Sequence, residues 1–151
     1  MQVSTECTIF KHERRESTRS KTVQVLCRSD IVFGAIQTVR QGGETNLHSH
    51  DRLDGFWFVL SGRARFYTTD DVVIADLGPR DGILIPRDYP YWFERVGDEE
   101  LELLQVEAST VALERLSDFG DKRKDYAPRH SGELHSDTEV IVPEGEETVG
   151  H

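Results

Sequence analysis

The sequence predicts an all-β fold, and three observations carry that prediction. Between residues 21 and 108, short runs rich in β-branched and aromatic residues recur at intervals of about ten residues, the spacing of a β-sandwich or barrel. Each run is bounded by residues that turns favour for steric reasons. No long stretch repeats its apolar residues at the helical interval.

In chain order, strands are expected over residues 22–27, 31–39, 45–50, 56–60, 63–68, 72–77, 82–85, 91–95 and 101–107. The breaks fall at Ser29-Asp30, Gln41-Gly42-Gly43, Ser61-Gly62, Asp70-Asp71, Gly78-Pro79-Arg80-Asp81 and Gly97-Asp98. An antiparallel meander is the simplest wiring. The run at 56–60, Phe-Trp-Phe-Val-Leu, is apolar at every position and so has two faces to bury. At 63–66, Arg63 and Arg65 alternate with Ala64 and Phe66, which sends the arginines to solvent. After the strands, residues 110–119 are expected to form a short helix on Val111, Leu113 and Leu116. Residues 120–151 are rich in charge, Gly and Pro around one apolar cluster, Val140-Ile141-Val142. They are expected to form an extended or disordered tail, free to lie across a neighbouring subunit. The division is an N-terminal arm at 1–20, a barrel at 21–108 and a C-terminal extension at 109–151.

Composition bounds the partners. The chain has 151 residues, 36% hydrophobic and 30% charged, enough for one domain with a sizeable core. Its 18 basic residues against 28 acidic ones give a net charge of −10, which repels phosphate backbones and anionic lipid and excludes nucleic acid and membrane surface as main partners. Cys7 and Cys27 match no zinc spacing and are read as free thiols. Residues 1–19 lack the apolar run of a secretory leader, so a cytoplasmic address is expected.

The segment most able to carry chemistry is Gly42-Gly43-Glu44-Thr45-Asn46-Leu47-His48-Ser49-His50. Two residues apart on a strand, His48 and His50 face the same way with Cα atoms roughly 6.5–7 Å apart, so both imidazoles can converge on one point. Imidazole nitrogen suits a transition metal; two hydrogen-bonded histidines beside a polar pocket are the ordinary alternative.

Gly42, His48-Ser49-His50 and Gly62 after Phe56-Trp57-Phe58-Val59-Leu60-Ser61 resemble the first motif of the cupin superfamily. Gly78 to Phe93, with Pro86 at its centre, resembles the second. The resemblance covers about residues 42–95. It implies a double-stranded β-helix, the cupin or jelly-roll barrel, assembled as a homodimer around a small-molecule pocket. The family's metal site uses two histidines and a glutamate of the first motif with a histidine of the second. Here Gly55 stands where the glutamate belongs, beside Asp54, and Tyr91 where the last histidine belongs.

Three readings follow. A one-residue bulge brings Asp54 inward as the carboxylate ligand. Alternatively Tyr91 binds as phenolate, which requires its pKa to fall well below about 10. In the third reading no metal binds, and His48 and His50 are hydrogen-bonding or acid–base groups. By strand alternation Gly55 shares its face with Trp57 and Val59, and Tyr91 shares its face with Tyr89 and Phe93. The expected pocket is therefore His48 and His50 facing Trp57, Tyr89, Tyr91 and Phe93, with ligand space at Gly55. Aromatic residues at strand spacing are more often plain core.

The functional expectation is a small-molecule-active cupin. In its metal-dependent form, with one divalent ion (Fe, Ni, Zn or Mn) on His48 and His50 completed by Asp54 or Tyr91, it is an oxygenase, isomerase, lyase or cyclase. Its substrate is a small organic acid, sugar or phenolic metabolite. The alternatives are a metal-free binding or acid–base cupin using His48, His50 and Tyr91, or a barrel that binds a protein partner.

Overall fold

The computed structural model describes residues 6–41, 45–119, 123–126 and 138–143. The described residues form eleven strands, β1 Lys21–Arg28, β2 Val32–Val39, β3 His48–His50, β4 Leu53–Ser61, β5 Ala64–Tyr67, β6 Val73–Leu77, β7 Gly82–Ile85, β8 Trp92–Arg95, β9 Leu101–Ser109, β10 Arg123–Asp125 and β11 Thr138–Ile141, with two short 3₁₀ turns. The fold is all-β, and each expected run contains a strand. The His-bearing run is shorter than expected: residues 45–47 precede β3, with the Thr45 amide bonded to the Phe93 carbonyl at 3.2 Å.

The wiring is not a meander. A six-stranded sheet runs β11-β1-β2-β9-β4-β7, a three-stranded sheet β6-β5-β8, and β10 pairs with β3. The cause lies in β2, whose residues are buried at every position after Val32. A strand buried on both faces needs hydrogen-bonding neighbours on both edges. It finds β1 on one side and β9 on the other, and β9 in turn pairs with β4. Facing rows of side chains then cross the sheet: Val25, Ala35, Gln105 and Trp57 in one, Phe33, Glu107 and Gly55 in the next.

Two apolar clusters fill the interior. One gathers Trp57, Val59, Phe66, Phe93, Leu101 and Leu103; the other gathers Val25, Phe33, Ala35, Leu53, Leu116 and Phe119. On the outer face, Phe56, Leu60 and Leu84 stand in solvent. Arg65 also points outward, as alternation requires, and its Nε donates to Asp76 at 2.6 Å. Cys7 and Cys27 are unbridged.

Past β9 the chain departs from expectation twice. The helix expected over 110–119 reduces to one 3₁₀ turn, Leu116–Phe119. Ser109 holds its own turn, its Oγ accepting from the Val111 amide at 3.2 Å, and the Asp118 carboxylate accepts from the Arg115 amide at 2.9 Å. Such side-chain bonds compete with helical ones. The apolar side chains dock nonetheless: Leu116 and Phe119 are buried, the Phe119 ring edge-on to Phe33 at 5.5 Å. The second departure is the tail. Its described parts are strands of this chain's own fold, β10 on β3 and β11 parallel to β1, with Val140 opposite Val23. Val140 and Val142 pack on the second cluster of the same chain. The remainder of the expected tail, and Gly42 and Gly43, lie outside the described residues.

Candidate functional site

Three local features build the site. Paired backbone bonds between His48 and Tyr91, at 3.0 and 2.9 Å, hold the histidine strand against the approach to β8 and set the His48 and Tyr91 rings 4.5 Å apart. His48 and His50 share a face, and their rings stand 5.2 Å apart and nearly perpendicular. The Asn46 carbonyl lies 2.6 Å from His48 Nδ1. A carbonyl only accepts, so Nδ1 carries the proton and Nε2 keeps its lone pair. His50 Nδ1 is buried with no hydrogen-bond partner among the described residues.

These groups border a cavity of about 460 Å³. Its lining combines the polar Lys21, Gln37, His48, His50, Gln105, Glu107 and Arg123, the rings of Trp57 and Tyr91, and the apolar Val25, Phe33, Leu116, Phe119 and Val140. The volume lies in the range of small-molecule sites. Of the residues expected in the pocket, His48, His50, Trp57 and Tyr91 come together here. Gly55 and Tyr89 border a separate void of only about 10 Å³. Phe93 is wholly buried, 5.0 Å from the rings of both Trp57 and Phe66, and lines neither space.

Asp54 faces outward. Its Oδ1 accepts from the Arg87 amide at 2.9 Å and lies 3.5 Å from Arg87 Nε. The bulge that would turn it inward is absent. β4 pairs with β9 in unbroken register from Leu53 to Val59, and the one shift lies beyond, between Val59 and Ser61.

The residue that sequence reasoning missed is Glu107. It lies across from Gly55, and a Cβ built on Gly55 would sit 3.6 Å from Glu107 Cγ. The carboxyl absent from the motif position is thus replaced by one from the neighbouring strand, and it leaves little ligand space at Gly55. A chain of amides fixes it: Gln37 Nε2 donates to Gln105 Oε1 at 2.9 Å, and Gln105 Nε2 donates to Glu107 Oε1. Glu107 Oε2 is buried with no partner among the described residues.

Burial governs the electrostatics. It pushes the Glu107 carboxyl up to about 7, against the Gln105 amide that favours the anion. His48 falls to about 3 and His50 to about 4, by burial first and the Arg123 charge second, so both imidazoles are neutral at physiological pH. Lys21 falls to about 8, again by burial and then by Arg123. The Tyr91 phenol is raised above its ordinary value by burial and by Glu107, so its O–H is retained.

The match to known proteins follows the geometry. The cupin domain family matches residues 35–107. Residues 35–107 are a cupin domain. Solved structures agree in fold. A Klebsiella pneumoniae protein with a double-stranded β-helix domain is 22% identical, with a TM-score of 0.61 over 74% of this chain and 93% of that one. An RmlC-like cupin protein from Desulfovibrio desulfuricans is 22% identical, with a TM-score of 0.56 over 67% and 97%. KdgF from Halomonas sp. is 13% identical, with a TM-score of 0.55 over 67% and 94%. No curated protein matches the chain in sequence. No helix among the described residues is long and apolar enough to cross a membrane.

Cupin domains often bind a metal, but the residues of this cupin do not fit the four-ligand centre. Gly55 offers no donor atom, Asp54 is turned away to Arg87, and Tyr91 keeps its proton. Among the described residues, no three side chains of His, Cys, Asp or Glu gather closely enough to hold an ion. The Arg123 charge also bears on both imidazoles, where it opposes a second cation.

Proposed function

We propose that this cupin acts on a small molecule by proton transfer in the 460 Å³ cavity, with Glu107 as the group that takes and returns the proton. The observation that carries the reading is one buried carboxyl, pinned at Oε1 by the Gln37–Gln105 chain and open at Oε2, in a cavity walled by neutral imidazoles and a phenol.

A general base works best with a pKa near the operating pH, and burial supplies that here. Glu107 accepts a proton at Oε2 from a carbon beside a carbonyl. The Tyr91 O–H donates a hydrogen bond to the oxygen on which charge develops. His48 Nε2, its lone pair fixed by the Nδ1–H bond to Asn46, orients a substrate hydroxyl or amide. Return of the proton to the same or a neighbouring carbon completes an isomerisation; loss of a β-substituent instead gives a lyase.

Solvent exchange tests this without knowledge of the substrate. Protein treated with chelator and shown free of Fe, Ni, Zn and Mn is incubated in D₂O with a panel of carbonyl compounds. The expected result is deuterium uptake into at least one compound, slowed 10²–10⁴-fold by Glu107→Gln, the usual range for loss of a general base. Exchange that appears only after one of those metals is restored, and is lost in His48→Ala/His50→Ala while Glu107→Gln retains it, would replace this reading with a metal-dependent one.

A further inference from the structure

The same cavity carries two cations that the proton-transfer reading leaves unused. Lys21 opens β1, and its side chain lines the cavity in phase with Val23 and Val25. No carboxylate of the described residues pairs with it, and the groups that perturb it are burial and Arg123 alone. Arg123 comes from β10, where pairing places it opposite His50. Its Nε is held by Asp125 at 2.7 Å, and its charge is felt by Lys21, His48 and His50. Lys21 is half-buried and Arg123 stands at the exposed rim, and a partly buried lysine without an anion costs stability, more so with a second cation near it.

Charge counting gives the missing partner. Lys21 and Arg123 supply two positive charges and Asp125 returns one negative, and neither cation bears on Glu107, so the pair is left one negative charge short. The same cavity is lined by a cluster of Val25, Phe33, Leu116, Phe119 and Val140 that suits an apolar body. We infer that the ligand is an amphipathic carboxylate, its head between Lys21 and Arg123 and its aryl or alkyl body against Phe33 and Phe119. The inference shares the cavity of the proton-transfer reading, and Glu107, paired across the strands with Phe33, lies beside the body of such a ligand.

Calorimetric titration of the full chain with 3-phenylpropionate tests it, beside 3-phenylpropanol for charge, acetate for the body and phenyl phosphate for the type of head. The acid is expected to bind at least tenfold more tightly than the alcohol or acetate, and more tightly than phenyl phosphate. Lys21→Met and Arg123→Met should each weaken the acid at least tenfold without weakening the alcohol. A rise in melting temperature of Lys21→Met without ligand would show that the variant is folded. Alcohol binding equal to acid binding, or acid binding unaltered in both variants, overturns the inference. Tighter phenyl phosphate binding overturns the assignment of a carboxylate head. The two proposals separate cleanly. Carboxylate binding without any Glu107-dependent exchange sinks proton transfer alone, whereas Glu107-dependent exchange confined to uncharged carbonyl compounds sinks the carboxylate alone.

Discussion

Glu107→Gln is expected to unfold at a higher temperature than the wild type at pH 8, and to lose that advantage as the pH falls to about 4.5. In the folded protein Glu107 binds its proton up to about pH 7, whereas the unfolded chain releases it near 4.5. Between these values the native state holds more protons than the unfolded state. The wild type therefore keeps its full stability below about 4.5 and loses it as the pH rises through 7. The loss saturates on the order of 3 kcal/mol, from about 1.4 kcal/mol per pKa unit. Glutamine keeps Oε1 as acceptor for Gln105 but has no proton to release, so the variant escapes the loss. Its new side-chain N–H adds a cost that does not vary with pH, so the readout is the change in the difference between the two melting curves from pH 4.5 to pH 8. A difference flat across that range would show that Glu107 is not buried as a titrating group.

Gly62→Ala is expected to destabilise the barrel by about 2–4 kcal/mol while leaving the cavity untouched. Gly62 adopts φ +79°, and an added Cβ would lie 2.4 Å from the Glu100 carbonyl oxygen and 2.9 Å from Leu101 Cα. Both obstacles are backbone, so no side chain can swing away to relieve them. The position follows the Val59/Ser61 irregularity of β4, at the end of the strand opposite Gly55. Urea unfolding should show the loss as a lower midpoint, while ligand affinity per folded molecule stays at the wild-type value. A midpoint within the scatter of the wild type would mean that the turn opens freely.

The two predictions concern residues of very different legibility. Gly62 could be read because it closes a recognisable motif. His48 and His50 could be read because a strand repeats every two residues, and Trp57 because it lies two residues beyond the motif position at Gly55. Tyr91 was reached by counting from Pro86. Glu107 escaped because its place depends on which strand lies beside Gly55, and nothing local names β9 as that neighbour. One signal was present: Leu101, Leu103, Gln105 and Glu107 share a parity, so the buried phase of β9 runs on into two polar residues. Lys21 shares its parity with Val23 and Val25 in the same way. The helix read over 110–119 failed because Ser109 and Asp118 offer the backbone competing partners, which apolar spacing does not register. The pairing of β10 and β11 escaped for the reason Glu107 did: each joins a strand far away in sequence.

The position of β9 between β2 and β4 also bears on how the chain is made. During synthesis β1 and β2 emerge first and can pair as a hairpin, but one long edge of β2, buried along nearly its whole length in the finished fold, stays open until residues 101–109 leave the ribosome. An open apolar edge invites wrong pairing with other nascent chains. The interval is longest for β1, whose outer edge is not covered until residues 138–141 arrive. Slow elongation between β2 and β9 therefore prolongs exposure of this edge, and conditions that favour chaperone engagement of the growing chain should raise the yield of soluble protein.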